Sequence, residues 1–290
     1  METNCSSEVY YNEGIMNYEE GNYELSVENF KKAIELDDSV FDYYYNLGIT
    51  YTNIEEYDLA IETFNKGVSL NSKDADLYMN LGIAFYNKGE FRKATKAHNK
   101  AFFINSCNDE NCNYAGIACC ALKKYKEAIS YFRQAVKLEP NNETYNFNLA
   151  QVYYETEKYG LAEECLITIS RFNKQNDAVY FLMGQMQLKQ RDDDLAKDSF
   201  ERTLKFNPDH KEAQATLDEI NERKASKENR RIVKPKEEVS EAEIETNIKD
   251  YLNTATMLLE KKEYEVAAKA LQEILTLIDK LPKAATQYKI

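Results

Sequence analysis

Asn12, Asn46, Asn80 and Asn148 are separated from one another by multiples of 34 residues. Asparagine is a mediocre helix former, so helix propensity does not explain a row of them at one phase. A primary amide carries both a donor and an acceptor, and a ladder of amides can bond the N–H and C=O groups of an extended peptide whatever its side chains. The alternative is that the four amides are merely solvated on an open surface. One residue before this phase are Tyr11 and Tyr45, and three after it are Ile15, Ile49, Ile83 and Ile117. Such a floor either anchors side chains of a bound peptide or packs against a neighbouring helix. Four residues before it, Glu8, Asp42, Asp76 and Glu110 form an acidic row that selects Lys or Arg in a ligand or is simply a solvated face.

No arrangement for catalysis stands out. His98 occupies a phase otherwise held mostly by Phe and is expected to be packed; His210 follows Pro208. Neither has a nucleophile at local spacing, and no Gly-rich phosphate loop is present, so an enzyme and a cofactor are not expected. The stretch RDDDLAKD (Arg191 to Asp198) falls at a turn, where solvated charges are ordinary. The cluster CNDENCNYAGIACC lacks paired C-x-x-C knuckles, and its thiols are expected to act as small buried hydrophobes rather than hold a metal.

Composition narrows the class. The 290 residues include only nine Gly and four Pro, with 30% charged residues, 22 Tyr and 13 Phe, which favours continuous helix with ample apolar surface. The start METNCSSEVYYNEG resembles no secretion signal, and no run approaches the ~20 apolar residues of a membrane span, so a cytoplasmic protein with free thiols is expected. Of the net charge of −13, residues 1–110 carry −11. That argues against nucleic acid and for a basic protein or peptide partner.

The elements that would position these side chains follow from the period. Gly14, Gly48, Gly82, Gly116, Ala150 and Gly184 are each 34 residues apart. Taking them as position 8 of a unit, position 20 is Ser26, Ala60, Ala94, Ala128, Ala162 and Ala196, and position 24 is Phe30, Phe64, His98, Phe132, Leu166 and Phe200. Position 4 reads Tyr10, Tyr44, Tyr78, Cys112, Asn146 and Tyr180; Asp38, Ser72, Ser106, Pro140, Lys174 and Pro208 stand near position 32. At about 100° per residue, positions 4, 7, 8 and 11 of the first helix point one way and 2, 5, 6, 9, 12 and 13 nearly opposite.

This pattern resembles the tetratricopeptide repeat, a 34-residue helix-turn-helix. The resemblance implies an all-α, right-handed superhelical solenoid of six units over 7–208 (7–40, 41–74, 75–108, 109–142, 143–176 and 177–210). It also implies that the second stripe lines a concave groove, where a similar asparagine ladder grips peptide backbone in O-linked N-acetylglucosamine transferase. The function expected is a non-catalytic scaffold binding an extended peptide through Asn12, Asn46, Asn80 and Asn148, with Tyr11, Tyr45, Ile49 and Ile83 seating side chains and Asp42 and Asp76 setting charge. Family members that hold chaperone tails use a carboxylate clamp; at its positions this chain has Tyr11, Ile15, Asn46, Asp76 and Asn80, of which only Asn46 fits.

After the repeats, 209–224 is expected to form a capping helix, with Ala213, Leu217 and Ile220 continuing the packing stripe, and 225–239 a charged linker. Ser240 with Glu243 makes a capping box that opens 240–282, a helical hairpin or degenerate repeat in which Tyr251, Ala255, Tyr264, Ala267 and Leu271 fall near repeat phases. The alternative function is a regulatory or assembly subunit in which 240–282 mediates oligomerisation or partner docking.

Overall fold

The structure, a computed structural model, describes residues 6–233, 241–260 and 264–278, which form helices and no strand. Twelve of the helices make six pairs: α1 (Ser7–Glu19) with α2 (Tyr23–Leu36), α3 (Phe41–Asn53) with α4 (Tyr57–Leu70), α5 (Ala75–Asn87) with α6 (Phe91–Ile104), α7 (Asp109–Ala121) with α8 (Tyr125–Leu138), α9 (Glu143–Glu155) with α10 (Tyr159–Phe172), and α11 (Asp177–Lys189) with α12 (Asp193–Phe206). Every first helix has 13 residues and every second 14, so no unit has slipped from the period.

The turn within each pair reverses through one residue at position 15 with positive φ: Gly21, Glu55, Gly89, Lys123, Glu157 and Arg191. Between pairs, the first helices are opened by side chains at position 34. Asp74, Asn108, Asn142 and Asn176 each accept from the backbone N–H three residues on. Position 4 then reaches back to the carbonyl at position 32: the Tyr44 and Tyr180 hydroxyls donate to Asp38 and Lys174 at 3.2 Å, and Asn146 donates to Pro140 at 2.8 Å.

Inside a pair, the missing side chain at position 8 makes room for the ring at position 24. A Cβ on Gly14, Gly48, Gly82 or Gly116 would lie 2.5–2.6 Å from a ring carbon of Phe30, Phe64, His98 or Phe132. The Ala residues at position 20 are fully buried; in the first unit Ser26 takes that place and its Oγ donates to the Gly14 carbonyl at 2.8 Å.

Between pairs the burial departs from the single stripe expected from periodicity. Position 3 (Tyr43, Leu77, Asn111, Tyr145, Val179) and position 10 (Thr50, Ala84, Ala118, Val152, Met186) are buried, whereas the position 4 tyrosines are only half-buried. Each internal first helix packs on its own partner helix and on both helices of the preceding unit, so its covered arc is wider than one stripe. Position 27 faces position 3 of the next unit, and a Cβ on Gly67 would lie 2.9 Å from Leu77 Cδ2. In the fifth unit that position is Ile169, and the α10–α11 packing is the sparsest between successive pairs.

A longer helix, α13 (Lys211–Val233), follows, opened by His210, whose Nδ1 accepts from the Ala213 N–H at 3.3 Å. Ala213, Leu217 and Ile220 pack on Ala196 and Phe200, as a terminal helix covering the last apolar face must. Helix α13 runs through 225–233, the start of the stretch expected as a linker, because nothing in it breaks a helix before Pro235. Residues 234–240 lie outside the described residues.

Residues 1–220 and 221–290 form two compact units. In the second, α14 (Glu241–Glu260) and α15 (Tyr264–Ile278) pack on each other with Ala255 and Ile274 buried. Of the residues expected near repeat phases, Ala255 is buried while Tyr251 and Leu271 are exposed; the side chains of Tyr264 and Ala267, and residues 279–282, lie outside the described residues.

Candidate functional site

The asparagine row lies on the first helices at position 6, and the structure shows what its amides already do. Asn46 Nδ2 donates to the Asp42 carbonyl and to the Tyr11 hydroxyl, both at 3.0 Å. Asn80 repeats this with Asp76 at 2.9 Å and Tyr45 at 3.4 Å, and Asn148 donates to Asn113 Oδ1 at 2.8 Å. Each amide therefore bonds the position 5 side chain of the preceding unit, 35 residues away. Where that neighbour cannot accept well, as at Met79 and Phe147, position 6 is Tyr114 or Leu182 instead of Asn. Asn12 lies in the first of the described units and is exposed. The donors of the row are thus engaged between units, while Oδ1 of Asn46, Asn80 and Asn148 makes no hydrogen bond among the described residues.

Around the row, Tyr11, Tyr45, Ile49 and Ile83 are half-buried; Tyr11, Tyr45 and Ile49 pack against the core of the first three units yet stay partly open. Tyr11 and Tyr45 therefore join units and line the surface at once, and burial, more than neighbouring carboxylates, raises their hydroxyl pKa. Glu8, Asp42, Asp76 and Glu110 are exposed. Burial and then the Asp74 charge push the Asp42 carboxyl pKa upward.

His98 is not part of this surface. It is 1% exposed, and its Nδ1 donates to Asn111 Oδ1 at 3.0 Å while Asn111 Nδ2 donates to the His98 carbonyl at 3.1 Å. The imidazole also stacks parallel to Tyr114. Three departures from the repeat pattern, at positions 24, 3 and 6, thus meet at one junction. Desolvation lowers the His98 pKa to about 4, so the ring is neutral at pH 7.

Cys112 and Cys119 are fully buried and Cys120 is half-buried. Burial raises all three thiols to about 11, which leaves them protonated and inert. Among the described residues no group of His, Cys, Asp or Glu is placed to hold a metal. Asp192, in the RDDDLAKD stretch, caps α12 by accepting from the Leu195 N–H. No described helix is long and apolar enough to cross a membrane.

Paired 13- and 14-residue helices stacked at a 34-residue period are matched by sequence profiles described as tetratricopeptide repeat over 121–186 and 178–210, and as TPR repeat over 14–55 and 51–89. The chain belongs to the tetratricopeptide repeat family. As a TPR protein it shares 30% identity over 107 residues with human RNA polymerase II-associated protein 3, and 29% with the mouse protein; the match spans 37% of this chain but only 16% of either relative. Solved TPR structures show the same superhelical fold. YrrB, a TPR protein with an unusual peptide-binding site, aligns with a TM-score of 0.59 at 20% identity, covering 66% of this chain and 98% of its own. Pseudomonas aeruginosa pilF aligns at 0.62 and 22%, covering 73% and 97%.

Proposed function

We propose that this TPR chain is a non-catalytic scaffold that holds an extended, basic or mixed peptide along the concave face of its first helices. One observation carries the reading: the row of amide oxygens at Asn46, Asn80 and Asn148, fixed in orientation by their inter-unit bonds and left with unused acceptors. These oxygens accept N–H groups of the peptide backbone. Tyr11, Tyr45, Ile49 and Ile83 seat its side chains, and Asp42 and Asp76 favour cationic ones; Asn12 contributes from the first unit. The peptide-binding site of YrrB on the same fold supports the reading. The test is affinity capture from lysate with the full chain, beside Asn46→Ala/Asn80→Ala. Partners retained by the wild type and lost by the variant support it; an unchanged set removes the row from the account.

A second reading rests on the C-terminal unit. On α14 and α15, Leu252, Met257, Leu259, Val266, Leu271 and Leu275 are each more than two-fifths exposed, too much apolar surface for two helices to leave in water without a partner. The chain is then an assembly subunit that self-associates or docks through this hairpin. Light scattering separates the readings: a doubled mass for the full chain, absent from a truncation after Lys224, supports assembly.

A further inference from the structure

The fourth unit has little bulk where its neighbours have most. Helix α7 ends in Cys119, Cys120 and Ala121, and at the phase of Cys120 the flanking units carry Tyr86 and Tyr154. The shortfall leaves a depression of about 520 Å³ on the first-helix stripe of units three to six. Ile117, Cys120, Tyr86 and Tyr154 line it, and Asn148, Gln151, Gln185 and Glu155 supply its polar groups. Among the described residues no Lys or Arg lines it. A second carboxylate lies alongside, since Gln185 Nε2 reaches Glu212 Oε1 at 3.4 Å. Burial first, then the charges of Glu155, Tyr159 and Glu212, raise the Tyr154 hydroxyl pKa, so both carboxylates are felt at the tyrosine.

We propose that this depression receives an arginine side chain of the bound peptide, a deepening that rests on the peptide-scaffold reading above. An apolar floor suits the methylene stem, tyrosine faces suit the flat guanidinium, and amide oxygens with Glu155 accept its fixed fork of N–H donors. The depression lies further along the stripe than Asp42 and Asp76, so it sets the residue at one place in the peptide rather than its overall charge.

The test uses the full chain with labelled isoleucine δ1 methyls and N-acetyl-arginine N-methylamide as the probe, followed by NMR. The expected result is a saturable shift at Ile117 and none at Ile49. The citrulline counterpart, of the same shape without charge, binds at least about tenfold more weakly, as does the arginine probe to Glu155→Gln. Cys120→Tyr, which inserts the residue present at that phase in both flanking units, abolishes the shift with thermal unfolding otherwise intact. An unmoved Ile117 overturns the proposal, as does citrulline, lysine or phenylalanine derivative binding equal to arginine, or undiminished binding to Cys120→Tyr. If Cys120→Tyr still captures partners that Asn46→Ala/Asn80→Ala loses, the arginine site falls while the peptide reading stands. If neither variant loses any partner, both fall.

Discussion

Phe132 fills the space that a side chain on Gly116 would need: a Cβ there would lie 2.5 Å from Cε1 of the ring. The fifth unit supplies the natural exception, with Ala150 opposite the smaller Leu166, both buried. Gly116→Ala should therefore destabilise the chain by about 1–3 kcal/mol through overpacking, and Phe132→Leu on that background should recover part of the loss. Thermal unfolding of the two singles and the double checks this; additive losses would mean the pair does not share one space.

Gly89 tests a different effect. Its φ is 86°, and a Cβ there would meet nothing within 4 Å. Gly89→Ala should cost about 1 kcal/mol from backbone conformation alone, and Lys123→Gly or Glu157→Gly, at the same phase with φ near 57°, should gain a few tenths. Urea unfolding would show it as a shifted midpoint at constant slope.

The junction of His98 and Asn111 should make stability depend on pH in a defined window. The folded-state pKa of about 4 lies below the ordinary value of 6.5, so the unfolded chain binds the extra proton. The contribution is fully present above about pH 6.5 and is lost as the pH falls toward 4. His98→Phe/Asn111→Leu, which restores the Phe64 and Leu77 pairing of the preceding junction, should remove this part of the pH dependence. Either single change should cost more than the double, because it strands one polar partner in the core. A double variant with an unchanged pH profile would sink the assignment.

Tyr45→Phe separates the two duties of the asparagine row. It removes the 3.4 Å bond from Asn80 but leaves the amide oxygen in place. We expect a stability loss of up to about 1 kcal/mol with ligand capture weakened but not abolished, against loss of capture for Asn80→Ala. If both variants capture equally, the amides only join units.

Much of the architecture was legible in the residues. A 34-residue period with Gly at position 8, Ala at 20 and an aromatic at 24 determines a paired-helix stack, because helices approach closely only where side chains are small. The packing stripe of Ala213, Leu217 and Ile220 was legible too, but the end of its helix was not: expected at Lys224, it runs to Val233.

The tertiary structure decided what a single unit's periodicity cannot contain. Positions 3 and 10 are buried by the preceding and following units, so their environment depends on helices tens of residues away. That the amides of Asn46 and Asn80 already bond Tyr11 and Tyr45 follows from a juxtaposition 35 residues apart. The pairing left one trace in the sequence: from the second unit onward, position 6 is Asn only where position 5 of the preceding unit can accept a hydrogen bond. The hollow at Cys120 belongs to no unit by itself. It exists because a small residue is set between Tyr86 and Tyr154, and only stacking brings the three to one surface.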